Sequence, residues 1–524
     1  MESASLFVPI LLAGAAVLLL HIQSVLKFAK RSLGFPLPPG PRGLPLIGNM
    51  FDLPQVKPWL GYRNLRRTYG DVVQLQVPGS RLIVLSNADD ALELLEKRSA
   101  NTSDRTQSPI TELSGLDLAL GLMPYGQRWR RHRRTFWQQF HRGVLPEYYP
   151  KQRALAHRFL MKLLESPSRL KDHIRYTFSA TMFKIIYGMD VQDEQDSRIA
   201  LVEAAFEAIA EGIPGRFLVE MFPILRNIPA WFPGAGFQRV LAHSKAANDE
   251  LKHRLFDEVK HAQEVKPSEV QSCIVTQLLA RSNWSPGTAL PFDEEEMLKN
   301  VAAISFSAGS DTTFSTLQAI FLALSLHPEV QKRAQAELDA VVGPHRLPEH
   351  ADRGKLVYIN ALVKEALRWH VVLPIGVAHR TLEDDEFHGY FIPAGSDIII
   401  NVWDILHDPE VYEQPEEFRP DRFIRDGQLD NTVRDPAAFM FGFGRRICPG
   451  RYFAEDSLFI NIASVLHVFD IGPPLDANGL PFKIAHEQTS GTISYPEDCR
   501  CTVKPRSAEA ASLGKEAQRL HADA

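Results

Sequence analysis

Hydrophobic and polar positions follow several different rhythms along this chain. Residues 6–20 are almost wholly apolar, and a looser apolar stretch continues to Leu26. That is about 20 residues, the length of a bilayer-spanning helix. Further on, Val73, Leu75 and Val77 alternate with Gln74 and Gln76, and Pro78-Gly79 follows. Period-two alternation closed by a turn dipeptide predicts a strand pair over residues 72–77 and 81–86. Between residues 91 and 370 the helical period dominates, and short strand-like segments then cluster near 386–400 and toward the C-terminus. The expected fold class is mainly α with small β-sheets. Residues 507–524 are small and polar and are expected to form a disordered tail.

The flanks of the first apolar run orient it. Glu2 precedes it, whereas Lys27, Lys30 and Arg31 follow it. A cleaved signal peptide carries its positive charge ahead of the apolar run. The opposite asymmetry predicts an uncleaved transmembrane signal-anchor over residues 1–26, with the rest of the chain in the cytosol. Phe35-Pro36-Leu37-Pro38-Pro39-Gly40-Pro41 then makes residues 27–48 a basic, proline-rich hinge, stiff and extended.

One helical stretch is unusually long. Asp293-Glu294-Glu295-Glu296 looks like a helix start, with Asp293 as cap and acids at the positive end of the dipole. The pattern runs to His327, before Pro328, which predicts a helix about 50 Å long. Inside it lies Ala308-Gly309-Ser310-Asp311-Thr312-Thr313. Glycine costs about 1 kcal/mol against alanine in a helix interior. Paired threonines also lower propensity, and an aspartate in an apolar stretch is costly unless partnered. Three unfavourable choices in six residues point to function.

The 524-residue chain has four cysteines, Cys273, Cys448, Cys499 and Cys501, and no C-x-x-C pair, which argues against a disulfide scaffold or structural zinc. A net charge of -5 argues against nucleic acid as a partner. Hydrophobic residues at 45% suffice for a sizeable core. The absence of a G-x-x-x-x-G-K-[ST] loop means that nucleotide chemistry has to come from a partner. Cys448 stands out through its neighbours, Phe441-Gly442-Phe443-Gly444-Arg445-Arg446-Ile447-Cys448-Pro449-Gly450. The glycines allow close backbone approach to a flat ligand. Backbone amides turned toward the sulfur stabilise a thiolate, and Arg446 suits a carboxylate.

This string resembles the cysteine-ligand loop of the cytochromes P450, F-x-x-G-x-R-x-C-x-G, at Phe441, Gly444, Arg446, Cys448 and Gly450. Ala308 to Thr313 is similar to the family's A-G-x-D-T-T motif, and Glu365-Ala366-Leu367-Arg368 with Pro420-Asp421-Arg422-Phe423 to its E-x-x-R and P-x-R-F pair. Length alone suggests about three domains. The resemblance, which spans residues 36 to 503, implies instead one large domain over residues 49–506. It implies haem b (iron protoporphyrin IX) as cofactor, with Cys448 as axial ligand of the iron. Thr312 then orients O2 and a water, and Asp311 relays protons. Glu365, Arg368 and Arg422 form a structural ion network. Trp129, Arg133, Arg380 and Arg446 bind the haem propionates, with Phe441 beside the cofactor. The other arginines of the 128–134 cluster, Arg128, Arg130, Arg131 and Arg134, would dock NADPH–cytochrome P450 reductase.

The segments that form the substrate pocket in the family carry Ile110, Leu113, Leu116, Leu118, Phe306, Val372, Leu373, Ile375 and Ile493 here. They suit a lipophilic small molecule. Phe222 to Leu225 and Ile228 to Pro233 resemble a lid that touches the membrane. Trp231 to Gly234 and Asp430 to Pro436 look similar to fungal members of secondary metabolism, with terpenoids as first expectation. The expected location is the endoplasmic reticulum membrane, single-pass, with a cytosolic catalytic domain. Alternatives are polyketide, aromatic or alkaloid oxidation, a haem-thiolate isomerase or dehydratase that does not consume O2, and a haem carrier or sensor without turnover. The family's isomerases and dehydratases often lack the acid–alcohol pair, so Asp311-Thr312 favours O2 activation.

Overall fold

A computed structural model describes residues 26–210 and 217–522. The signal-anchor expected over residues 1–26 lies outside them but for its last residue. Among the described residues no helix is long and apolar enough to cross a membrane.

Among the described residues, the helices that frame the domain include α1 (Gln127–Phe140), α2 (Tyr149–Glu165), α3 (Leu170–Ile186), α4 (Ser197–Ala210), α5 (Phe237–Val265), α6 (Phe292–Leu326), α7 (Val357–Trp369), α8 (Arg451–Val468) and α9 (Ala508–Ala522). The long helix expected from Asp293 is α6, 35 residues long. Its cap position is Pro291, so Asp293 sits in the first turn beside Glu294 and Glu295 and serves the dipole without capping. α6 is apolar on every side, and such a helix belongs in the middle of a core. It is buried from Met297 to Ser325 except at Ala308, Gly309 and Thr312. α3 lies along it, and α1, α5, α7 and α8 also touch it.

Among the described residues ten short strands make small sheets. β1 (Val72–Val77) and β2 (Ser80–Leu85) pair antiparallel through the Pro78-Gly79 turn as expected, with Gly79 at φ +79. The remaining strands are β3 (His379–Arg380), β4 (Asp385–Phe387), β5 (Tyr390–Ile392), β6 (Asp397–Ile400), β7 (Ile424–Arg425), β8 (Gln428–Leu429), β9 (Phe469–Gly472) and β10 (Thr502–Pro505). The largest sheet runs β1-β2-β6-β3, with β2 parallel to β6. Both of its faces contribute to one core, Ile83, Leu85, Ile398 and Ile400 from one side and Leu75 and Leu82 from the other.

Two expectations need correction. The tail is ordered: α9 packs on α2 and α8, and Leu513 and Ala517 join their apolar core. Alanine, leucine, glutamate and lysine are strong helix formers, and Gly514 lets the helix close on Leu160, Leu164 and Val468. The hinge, too, is more than a spacer. Residues 26–32 are helical and lie against the small sheets. The Phe28 ring meets Phe391 edge-on at 5.5 Å, and Arg31 pairs with Asp384. The Pro36 carbonyl accepts from the Phe391 amide at 2.7 Å, and the Pro39 carbonyl from the Gln74 amide at 2.8 Å.

Candidate functional site

The cysteine loop is shaped by its glycines. Gly442 and Gly444 sit at φ +75 and +50. A side chain on Gly444 would put its Cβ 2.3 Å from the Leu95 carbonyl oxygen, so only glycine lets the loop lie on that segment. The Gly444 amide donates to Glu96 Oε2 at 2.7 Å, and the Cys448 amide donates to the Phe441 carbonyl at 2.7 Å. Cys448 then stands three residues before α8, whose positive end favours a thiolate. Burial pushes its thiol above the ordinary value, while the Gly450 amide, Arg133 and Arg451 pull the other way. Yet Cys448 keeps part of its surface accessible.

The arginines around it outnumber the acids: among the described residues Asp104 is the one carboxylate that acts on Arg105 and Arg446. On α1, Trp129 and Arg133 share one face; Trp129 is buried and Arg133 half-buried. The Arg446 guanidinium lies over the Trp129 indole, 4.6 Å from its centroid. Where a carboxylate partner is expected, Arg446 donates instead to three carbonyls, Ser103 at 2.7 Å, Leu120 at 3.3 Å and Met123 at 2.8 Å. Burial lowers Arg446 to about 10, opposed by the charge of Asp104, with a smaller repulsion from Arg133. Arg105, unexpected from the sequence, joins them: it is buried, donates to the Gly121, Val377 and Ala378 carbonyls, and is lowered by burial and by Arg446. Among the described residues no carboxylate pairs with Arg105, Arg133 or Arg446. Three buried or half-buried cations without a paired anion fit a dianionic group such as the two propionates of haem.

Arg380 departs from expectation. β3 is only two residues long, and alternation sends its side chains to opposite faces. His379 faces inward: it is buried, bonded to the Thr102 carbonyl at 2.8 Å, and lowered by burial and by Arg105 and Arg446. Arg380 turns to Asp397, at 3.8 Å, and packs against Gly395. The inward position therefore belongs to His379. Of the remaining arginines on α1, Arg128, Arg130, Arg131 and Arg134 are all exposed, as a docking surface requires.

On α6 the unfavourable residues are satisfied within the helix. Thr312 Oγ1 donates to the Ala308 carbonyl at 3.0 Å, and Thr313 Oγ1 to the Gly309 carbonyl at 2.5 Å. Ser307 and Ser310 do the same one turn back. The helix is continuous through Gly309, where an added Cβ would strike Met182 at 2.5 Å. Asp311 is buried, with its carboxylate held by Arg175 of α3 and by the Tyr495 hydroxyl. Neither partner is signalled by the sequence around the motif.

The ion network is built as expected. Arg368 donates to both Glu365 oxygens at 2.8 Å, and Arg422 Nε lies 3.2 Å from the same carboxylate. The Arg419 amide adds a bond of 2.7 Å to Glu365. The second arginine is lowered by burial and by Arg368, and Glu365 opposes the shift. Arg368 also donates to the Leu406, Pro415 and Glu417 carbonyls. Arg368 and residues 419–422 thus meet at one carboxylate, and Arg368 carries the network on to residues 406 and 415–417.

The expected pocket residues divide. Leu118, Val372 and Ile493 share one core, with Leu373 against it. Phe306 is core packing: it is fully buried with its ring 4.3 Å from Phe183. Ile110 and Leu116 pack with Val219 and Leu241. Ile375 belongs to the sheet core. Ile224, Trp231 and Phe232 of the expected lid are exposed.

The sequence model of the family described as Cytochrome P450 matches residues 38–486. The chain is similar to cytochrome P450 monooxygenase COX1 of Coprinopsis cinerea, 42% identical over 93% of this chain and 95% of the relative. It is 37% identical to tryptamine 4-monooxygenase of Psilocybe cyanescens over 90% and 94%. Cytochrome P450 monooxygenase claR of Ampulloclitocybe clavipes is 38% identical over 91% and 88%.

Proposed function

The chain belongs to the cytochrome P450 family of monooxygenases, and on that premise we propose that it oxidises a lipophilic small molecule in secondary metabolism, with a terpenoid as first candidate. Cys448 would hold the iron of haem b, and NADPH–cytochrome P450 reductase would supply electrons across the exposed arginines of α1. Residues 1–26 anchor the enzyme in the endoplasmic reticulum membrane, with residues 49–506 in the cytosol. The observation that carries the cofactor assignment is the cluster of Arg105, Arg133 and Arg446 beside the cysteine loop, three cations that among the described residues form no salt bridge and have only Asp104 nearby.

Bound haem supplies the binding and reductive activation of O2. The chain supplies the rest. The Gly450 amide and the start of α8 hold negative charge on Cys448 Sγ. Trp129, Arg105, Arg133 and Arg446 hold the carboxylates of the cofactor. Thr312 Oγ1 leaves the Ala308 carbonyl to hold O2 and a water, and the Asp311 carboxylate passes protons to it. Val372, Leu373 and Ile493 exclude bulk water and grip apolar substrate.

An aromatic amine is the second reading of the substrate, because one relative carries the name tryptamine 4-monooxygenase. The apolar wall residues favour a neutral substrate over a cation. Co-expression with a reductase in a terpenoid-producing host, followed by product identification, tests the substrate class; oxidised indole amines with untouched terpenoids would reverse the order. Carbon monoxide added to the reduced protein tests the ligand, and a band like that of histidine-ligated haem would overturn Cys448.

A further inference from the structure

Asp311 is 2% exposed, and each of its oxygens has a different partner. Oδ1 accepts from Arg175 Nη1 at 2.5 Å, and Oδ2 accepts from the Tyr495 hydroxyl. The two partners differ in how firmly they are fixed. Arg175 rises from α3 and lies 3.5 Å from the centroid of the Phe314 ring, one turn beyond Asp311. Its Nε is 3.1 Å from Glu203 of α4. Arg175 is thus flanked by two carboxylates and a ring, with its hydrogen bond going to Asp311 and only an ion contact to the exposed Glu203. The Tyr495 bond involves one charge where the Arg175 bond involves two.

Tyr495 also stands on a different kind of element. Residues 489–495 form a turn closed by the Thr489 amide on the Tyr495 carbonyl, 2.9 Å, and by the Tyr495 amide on Thr489 Oγ1, 3.0 Å. The Ser494 amide donates to the Val372 carbonyl at 2.8 Å, and Ser315 Oγ of α6 donates to the Ser494 carbonyl at 2.6 Å. Ile493, two residues before Tyr495, shares a core with Val372. One short turn thus joins an apolar wall residue to the partner of the buried acid. As drawn, both oxygens of Asp311 are engaged away from Thr312, whose hydroxyl is itself turned back to Ala308.

We propose that Tyr495 is a positioning residue for Asp311: its hydroxyl restrains one carboxylate oxygen, and a substrate pressing on Ile493 shifts the turn and releases that oxygen. The phenol keeps its proton throughout, because burial and the neighbouring Asp311 raise it far above the ordinary tyrosine range. Occupancy of the apolar site and readiness of the acid are thereby linked through residues 493–495. This inference rests on the assignment of Asp311 as the proton-relaying acid.

Two measurements test it. In substrate-free holoenzyme, Tyr495→Phe and Asp311→Asn each speed amide hydrogen exchange at residues 489–496 by about tenfold, the worth of one hydrogen bond to a charge. The double variant exchanges no faster than either single one; multiplied effects would show that the two residues act independently and overturn the proposal. The second measurement is NADPH oxidation with reductase and no substrate. Release of the acid raises it several-fold per haem in Tyr495→Phe, while the carbon monoxide band stays intact. An unchanged rate overturns the proposal. Thr489→Val loosens the same turn without touching Asp311 and has to move the rate in the same direction; no change there counts equally against it. Loss of the thiolate-type band in the parent protein would instead refute the haem-thiolate assignment, and the exchange measurement needs no turnover.

Discussion

Glu365 and Arg368 meet through two hydrogen bonds of 2.8 Å, and neither side chain has accessible surface. The pair, with Arg422, ties α7 to the segment around residues 413–422, at the end of which stands the P-x-R-F string. Removing the acid leaves two buried cations facing each other. Glu365→Ala is expected to cost about 3–5 kcal/mol and to abolish stable haem incorporation. Haem content per polypeptide checks this, and a variant with a full complement would sink it.

Arg105 and Arg380 make a paired comparison. Arg105→Gln removes a buried cation beside Arg446 and should speed haem transfer to an acceptor apoprotein by about tenfold, as for loss of one charge-assisted bond. Arg380→Gln touches a side chain turned to Asp397 and should leave the rate within about twofold. The reverse order would restore Arg380 as the anion ligand and remove Arg105.

Thr312→Ala deletes a hydroxyl that donates to its own helix, so stability should change by no more than about 1 kcal/mol. The expected effect is on electron use. Peroxide released per NADPH oxidised should rise several-fold, with product falling in proportion. Unchanged coupling in a variant of normal thermal stability would exclude Thr312 from handling oxygen.

Buried histidines set an acid limit on stability: His132, His350, His370, His379, His407, His467 and His486 are all lowered by burial. Burial lowers His370 to about 3 and His132 to about 4, from an ordinary 6.5. Below pH 6.5 the unfolded chain therefore binds protons that the folded chain refuses, and stability falls as pH drops toward those values. Each histidine adds up to about 1.4 kcal/mol per pH unit in its window. Urea unfolding at pH 7, 6 and 5 should show this slope, and His370→Gln should make it shallower by one histidine's share. An identical slope in the variant would mean that His370 is protonated in the fold.

Much of the site was legible because its chemistry is concentrated in short strings. Phe441 to Gly450, Ala308 to Thr313 and Glu365 to Arg368 each carry their own spacing, and the glycines announce close approach before any contact is known. What was hidden depends on long-range placement. The choice between His379 and Arg380 is fixed by pairing of a two-residue strand with β6, which local sequence does not reveal. Arg105 sits in a loop with no period, and its role follows from carbonyls 16 to 273 residues away. Tyr495 reaches Asp311 across 184 positions. The tail was misjudged for a different reason: small polar composition suggests disorder, yet α9 finds an apolar partner in α2 and α8.

The docked segment from Phe28 to Pro39 bears on how the enzyme can be produced in water. Trimming back to the start of the strand pair would strip Phe391 of its ring neighbour, leave Asp384 without Arg31, and uncap the Gln74 amide on the sheet edge. Such a trim exposes a strand edge open to pairing with another copy. A version cut just before Lys27 keeps all three contacts and is the one to purify.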